Sequence, residues 1–286
     1  MQQYLASLAL DVFRLSIWLV LLGIIFIPLE KLCAQRRQPI LRRELLIDLG
    51  YYFLNSLLPQ LLMILPMSIV AWGVHHFMPG MLSFGAMLPL RTRFVLAIVV
   101  GEFSTYWGHR WSHEIPWMWR FHAIHHSSQE MEWLVNTRAH PLDMFFGRFS
   151  GLLPIYMLGL AQPTGDTADM VPILYALVGT VWSFFVHANI GWRFGWLEQV
   201  LATPAFHHWH HTNDGAKYIN KNYATILPVM DILFGTLYLP KQRWPEQYGI
   251  ETPISKSFTG QLLQPLVGTR SIVATSNDKQ RSKEIH

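Results

Sequence analysis

Apolar residues along this chain gather into five stretches separated by polar connections. Ser7 to Leu29 has the length of one membrane span, with Asp11 and Arg14 as charges near its outer end. A second stretch runs from Leu45 to Val74, a third from Phe94 to Trp107, a fourth from about Leu142 to Leu160 and a fifth from Val171 to Val186. Several are short or interrupted by proline, so the pattern predicts four or five membrane helices and leaves room for re-entrant or partly spanning segments. No small-residue cleavage pattern follows the first stretch, which reads as an uncleaved anchor.

The polar connections set an orientation. Lys31, Arg36, Arg37, Arg42 and Arg43 crowd the first, whereas Val74 to Leu90 and Ala161 to Met170 contain no Lys or Arg. The positive-inside rule places residues 31 to 43 in the cytoplasm and the N-terminus outside, in an inner or plasma membrane. Composition agrees, with 51% hydrophobic and only 14% charged residues. A net charge of +4 and pI near 9.2 would suggest nucleic acid in a soluble protein. Here topology and contact with anionic lipid account for it, so no nucleic-acid partner is expected.

The expected architecture is an all-α integral membrane protein with a cytosolic helical cap. Residues 1–90 read as N-terminal membrane helices, and 91–240 as one catalytic unit that includes a membrane helix pair. Residues 241–286 read as a cytosolic extension, frayed from about Ala274.

Histidine is the most distinctive residue type. Eight of 14 lie in three clusters: His109-x3-His113, His122-x2-His125-His126 and His207-x2-His210-His211. On a helix, positions i, i+3 and i+4 share a face, so such rings can converge on a point. The first cluster ends a helix leaving the bilayer, limited by Pro116. The second lies on a helical stretch from Trp117 to His126 that puts all three rings on a common side, and Pro204 starts a helix carrying the third. Five crossings place all three clusters at the cytoplasmic helix ends or beyond.

His187, ending the fifth apolar stretch, and His140, in TRAHP, raise the total to ten. That is too many for one four-coordinate zinc and suits two adjacent metals of higher coordination number. Imidazole suits iron or zinc, and the single Cys33 holds no iron–sulfur cluster by itself. His140 is the weaker candidate, able instead to orient a ligand or contact a polar substrate group. His75 and His76 fall on the opposite side, His286 in the tail, and His208 points off the shared face. Glu102, Asn136, Asp143, Asn189, Asp214, Asn222 and Asp231 are candidates to orient the rings, or else caps and loop anchors.

These motifs give the chain a resemblance. HRWSH at 109–113, HAIHH at 122–126, TRAHP at 137–141, HAN at 187–189 and TPAFHHWHH at 203–211 resemble the fatty acid hydroxylase and sterol desaturase superfamily of integral-membrane di-iron oxygenases. Asn222-Tyr223 and the segment from Asp231 to Thr236 continue the likeness, with Ala224 where the family often has glycine. The resemblance covers roughly residues 95–240. It implies two iron ions held by His109, His113, His122, His125, His126, His187, His207, His210 and His211, with His140 less certain. It also implies O2 as co-substrate, and hydroxylation of an unactivated C–H bond or desaturation.

The substrate expected on location is a membrane lipid, sterol-like or fatty acyl, entering an apolar channel near Phe145, Phe146, Phe149, Phe184 and Phe185. No flavin or nicotinamide fingerprint appears, so electrons are expected from a separate reductase or ferredoxin. The nearest rival is a membrane zinc hydrolase, which needs only about three protein ligands. HExxH is absent from the sequence. A metal transporter would place polar groups near the bilayer midplane. A scaffold protein would hold no stoichiometric metal.

Overall fold

The computed structural model describes residues 2–161 and 169–267. The frayed tail expected from Ala274, with His286, lies outside them, as does most of the connection between Ala161 and Met170.

Two long helices open the chain, α1 (Gln2–Cys33) and α2 (Leu45–Phe77), followed by the short α3 (Pro79–Met87). Next come α4 (Leu90–Glu114), α5 (Pro116–His122), α6 (Pro141–Met157) and α7 (Met170–His187). Three short helices complete the order: α8 (Pro204–His210), α9 (Val229–Leu233) and α10 (Phe258–Val267). Among the described residues there is no β-strand beyond isolated bridges.

Among the described residues three helices, not four or five, are long and apolar enough to cross a membrane: Leu5–Cys33, Leu45–Phe77 and Met170–His187. The third and fourth apolar stretches do form helices, α4 and α6. However, α4 carries Arg91, Arg93, Glu102, Arg110 and Glu114 along its 25 residues. α6 has 17 residues, with Asp143 and Arg148 among them. Charge in one and length in the other separate them from the three spans.

α6 packs along both α4 and α2, and α4 also packs on α7. Small residues permit the approach: a Cβ on Gly101 of α4 would lie 2.5 Å from the Tyr175 hydroxyl of α7. The ends of these helices are tied at one level. Glu30, near the end of α1, accepts from the backbone N–H groups of Trp133 and Asn189, both at 2.8 Å. Ala34 and Ile190, just past α1 and α7, form a bridge. Asn55 of α2 donates to the carbonyls of Thr137 and Ala139, just before α6. Leu22, Phe26, Tyr52, Trp133 and Phe184 fill the core beneath.

Candidate metal centre

Each histidine arrives by a distinct structural route. His109 and His113 sit one turn apart at the end of α4, which stops at Glu114 before Pro116 opens α5. α5 stops at His122, and the chain turns through Ala123 and Ile124 into a 3-10 turn at His125–Ser127. The continuous helix expected to His126 is therefore broken. Its three rings do not share one side. His187 ends α7, and α8, begun by Pro204 and capped by the Thr203 hydroxyl, carries His207 and His210 into His211.

Nine rings gather into two groups. His109, His113, His122, His126 and His210 form one, and His125, His187, His207 and His211 form the other. Within each group one ligand atom per residue lies within 4.8 Å of the rest. The sequence neighbours His125 and His126 part company, as do His210 and His211. The groups adjoin, because the His126 and His211 rings stack at 4.2 Å between centroids.

The nitrogen geometry suits a shared ion. The His122 Nε2 lies 3.2 Å from that of His109 and 3.1 Å from that of His126. In the second group, His187 Nε2 is 3.2 Å from His125 and 3.0 Å from His207, which is 3.1 Å from His211. With a metal–nitrogen bond of about 2.1 Å, ligands at octahedral to tetrahedral angles are about 3.0–3.4 Å apart. The buried Nε2 atoms of His113 and His210 have no hydrogen-bond partner, as expected of lone pairs aimed at a cation.

The opposite ring nitrogens are held from behind. His109 Nδ1 donates to the Tyr223 carbonyl at 2.7 Å, His125 to that of Arg138 at 2.9 Å, His187 to that of Ser183 at 2.7 Å and His210 to that of Lys221 at 2.8 Å. His122 Nδ1 donates to both oxygens of Asp143 at 3.0 Å. A proton fixed on Nδ1 leaves Nε2 unprotonated toward the group. Burial, and after it the neighbouring rings, hold His125 down to about 3 and put His126, His207, His210 and His211 well below the ordinary histidine value. Neutral rings are the form that binds metal.

His140 stands apart from both groups. Its Nδ1 accepts from the Leu142 N–H, capping α6, and its Nε2 donates to the Leu262 carbonyl of α10 at 3.1 Å. His208 is buried away from the groups, between the Tyr248 hydroxyl and the Ala188 carbonyl. His75 and His76 lie exposed in the last turn of α2.

Of the seven expected orienting residues, Asp143 alone bonds a site ring among the described residues. The others fix the backbone that carries the rings. Glu102 accepts from the N–H groups of Thr225, Ile226 and Leu227 and from the Thr225 hydroxyl. Asp231 accepts from the N–H groups of Tyr223 and Ala224. Asn222, at φ 58°, bonds the Phe206 and Tyr238 carbonyls. Asn136 accepts from the Ser183 hydroxyl, Asn189 binds the backbone of Arg36, and Asp214 takes the N–H groups of Glu246 and Gln247.

Sequence reasoning missed Arg138. It is fully buried and bonds Asp48 through Nε at 2.5 Å and Nη2 at 3.0 Å, and Glu44 through Nη1 at 2.6 Å, while its carbonyl holds His125. Arg42, counted above as a topological charge, is 7% exposed and pairs with Asp48 and Glu132. A basic residue inside TRAHP, beside a motif already singled out, was the available signal. The expected channel residues Phe184 and Phe185 are packing residues, against Phe26 and Trp133 and against Trp182 and Phe194 respectively.

The chain was compared with known proteins. The fatty acid hydroxylase family model matches residues 94–236. The ornithine lipid hydroxylase OlsE of Rhizobium tropici is 35% identical over 194 residues, covering 66% of this chain and 53% of that protein. The alkylglycerol monooxygenase of Homo sapiens is 30% identical over 155 residues, covering 54% and 32%. That of Danio rerio is 31% identical over 208 residues, covering 70% and 41%. The chain thus spans about half or less of the length of these relatives. No solved structure matches it.

Proposed function

As the chain belongs to the fatty acid hydroxylase family, we propose that it is an O2-dependent oxidoreductase that hydroxylates an unactivated C–H bond of a membrane lipid. The observation that carries this reading is the division of nine buried or half-buried imidazoles into two adjoining groups. When bound, a pair of iron ions supplies the oxidising chemistry that no side-chain base can, since such a carbon offers no acidic proton.

The protein's own part is to hold the ligands. His109, His113, His122, His126 and His210 would hold one ion, and His125, His187, His207 and His211 the other. Nδ1 partners fix the tautomer of His109, His122, His125, His187 and His210, and burial keeps His125, His126, His207, His210 and His211 neutral. Such a donor set exceeds the three ligands that a hydrolytic zinc needs. His140 serves as a cap rather than a ligand.

A lipid substrate is supported by the position of the groups, at the end of α7 and near the end of α1 and the start of α2, all three long enough to span. The relatives whose names specify an ornithine lipid hydroxylase and alkylglycerol monooxygenases favour a lipid with a polar head, and hydroxylation over desaturation. Lys31, Arg36, Arg37 and Arg43 lie at the same helix ends as the histidines, which supports a cytoplasmic active site and an outside N-terminus. Cys33 is the one cysteine of the sequence and holds no iron–sulfur cluster by itself, which supports electron delivery by a separate redox protein.

The test is anaerobic reduction of the iron-loaded protein, then O2 with membrane lipid extract, read by mass spectrometry. Gain of one oxygen atom is the expected product. Loss of two hydrogens would assign desaturation at the same centre, and unchanged lipid with loaded, reduced iron would contradict an oxidative role.

A further inference from the structure

A cavity of about 880 Å³ lies apart from the histidine groups, between α1, the connection to α2, and the segment around Trp133. Leu19, Gly23, Ile24 and Ile27 of α1, with Leu45 and Leu49 of α2, supply apolar walls. The connecting loop adds Ile40 and Leu41, 42% and 83% exposed, as an apolar lip. α1 and α2 are both span candidates, so these walls belong to the lipid phase. The size falls within the range of sites that enclose a small amphiphile.

The other end of the cavity is charged. Lys31, Arg36, Arg37 and Arg42 line it, with Glu30 and Glu132 as the acids. Both acids are engaged: Glu30 takes the Trp133 and Asn189 N–H groups, and Glu132 pairs with Arg42. Arg36 donates to the carbonyls of Pro245 and Glu246, which do not neutralise it. Lys31 and Arg37 are exposed, and neither makes an ion pair among the described residues. Arg42 is only 7% exposed, and its Nε, buried at the cavity wall, has no partner. Asp48 and Glu132 answer the charge of Arg42, which leaves its Nε–H as a free donor beside the two uncompensated cations Lys31 and Arg37.

We propose that this cleft binds an anionic phospholipid, with acyl chains along Leu19 to Ile27 of α1 and the phosphate between Lys31, Arg37 and Arg42. Charge and hydrophobicity are segregated along the bilayer normal in the order such a lipid requires. A neutral lipid would leave the cations unanswered, and a free phosphate would leave the apolar walls without an occupant.

Native mass spectrometry of the full chain, delipidated and then exchanged into mixed micelles with phosphatidylglycerol or phosphatidylcholine, tests this. Lys31→Ala/Arg37→Ala is expected to weaken phosphatidylglycerol retention roughly thirtyfold, about fivefold per cation at a membrane surface. Gly23→Leu is expected to weaken it by filling the apolar wall. A Cβ there meets only the end of the Ile27 side chain, at 3.5 Å, so the helix tolerates it. Lys217→Ala/Lys241→Ala, removing two exposed cations elsewhere, leaves retention unchanged. Equal retention of phosphatidylcholine, or unchanged retention in both cleft variants, overturns the proposal. Displacement of the lipid by millimolar inorganic phosphate alone assigns the cations to a soluble anion and also overturns it.

Discussion

His122 donates its Nδ1 proton to Asp143 across 3.0 Å to each carboxylate oxygen, the one carboxylate hydrogen-bonded to a site ring among the described residues. The pair joins the end of α5 to the first turn of α6. It orients the ring so that its Nε2 faces His109 and His126.

Replacing that carboxylate keeps the shape and removes the charge. Asp143→Asn is expected to lower metal affinity by roughly 10–100-fold, with all nine histidines in place. Competition with a chelator measures it. Affinity equal to that of the parent protein would make the contact merely structural.

Because neighbouring histidines serve different groups, single substitutions should separate the two ions. His126→Ala and His125→Ala are each expected to weaken a different one, so metal analysis should find about one ion retained in either variant. The pair His126→Ala/His125→Ala loses both. His140→Ala and His75→Ala keep the full complement, since His140 is a helix cap and His75 lies in the last turn of α2. Equal metal content in all of these variants would contradict the partition.

Arg138 and Asp48 form a buried ion pair, with the carbonyl of the same arginine on His125. Arg138→Ala leaves Asp48 with less compensation and should cost about 3–5 kcal/mol. Arg138→Met/Asp48→Leu, which removes both charges, should recover much of that. Thermal unfolding of the two variants decides, and a double variant less stable than the single would refute the account.

Glu102, 2% exposed within α4, answers three backbone N–H groups between Thr225 and Leu227. Glu102→Ala strands those donors, so a loss of about 3 kcal/mol or more is expected. The loop it anchors includes Tyr223, whose carbonyl holds His109, so proteolysis near Thr225 should rise as well. A variant with the parent's melting temperature and proteolytic pattern would show that the anchor is dispensable.

Acid should weaken the metal-free protein. In the unfolded chain these histidines titrate near 6.5, whereas burial and adjacent rings hold His125 at about 3 and His126, His207, His210 and His211 lower than usual. Below about pH 6.5 the unfolded state therefore binds more protons, and stability falls by about 1.4 kcal/mol per pH unit for each ring involved. Above that pH these rings add no slope. Urea midpoints of chelator-treated protein at pH 7.5 and 5.5 measure the effect, and a midpoint unchanged between them would oppose it.

Much of this centre is written in local spacing. The i, i+4 pairs His109/His113 and His207/His211 each stay together, because one helical turn carries both members to the same face whatever surrounds them, whereas His122 and His126 meet in one group across the break that follows α5. Pro116 and Pro204 mark helix starts by the same local logic. The allegiance of His125 and His210 is not local. It depends on the break at Ala123 and Ile124 and on where α4, α7 and α8 deliver His113, His187 and His207. Likewise the apolar runs announced α4 and α6 as helices. Whether each run spans rests on charge and length over the whole helix, and Arg42 and Arg138 look like surface charge until Asp48, Glu44 and Glu132 are brought to them. Side-chain spacing along one helix is set by covalent geometry, so the chain alone determined that imidazoles would cluster. Partners distant in sequence meet only through packing, so tertiary structure decided which rings share an ion and which charges are buried.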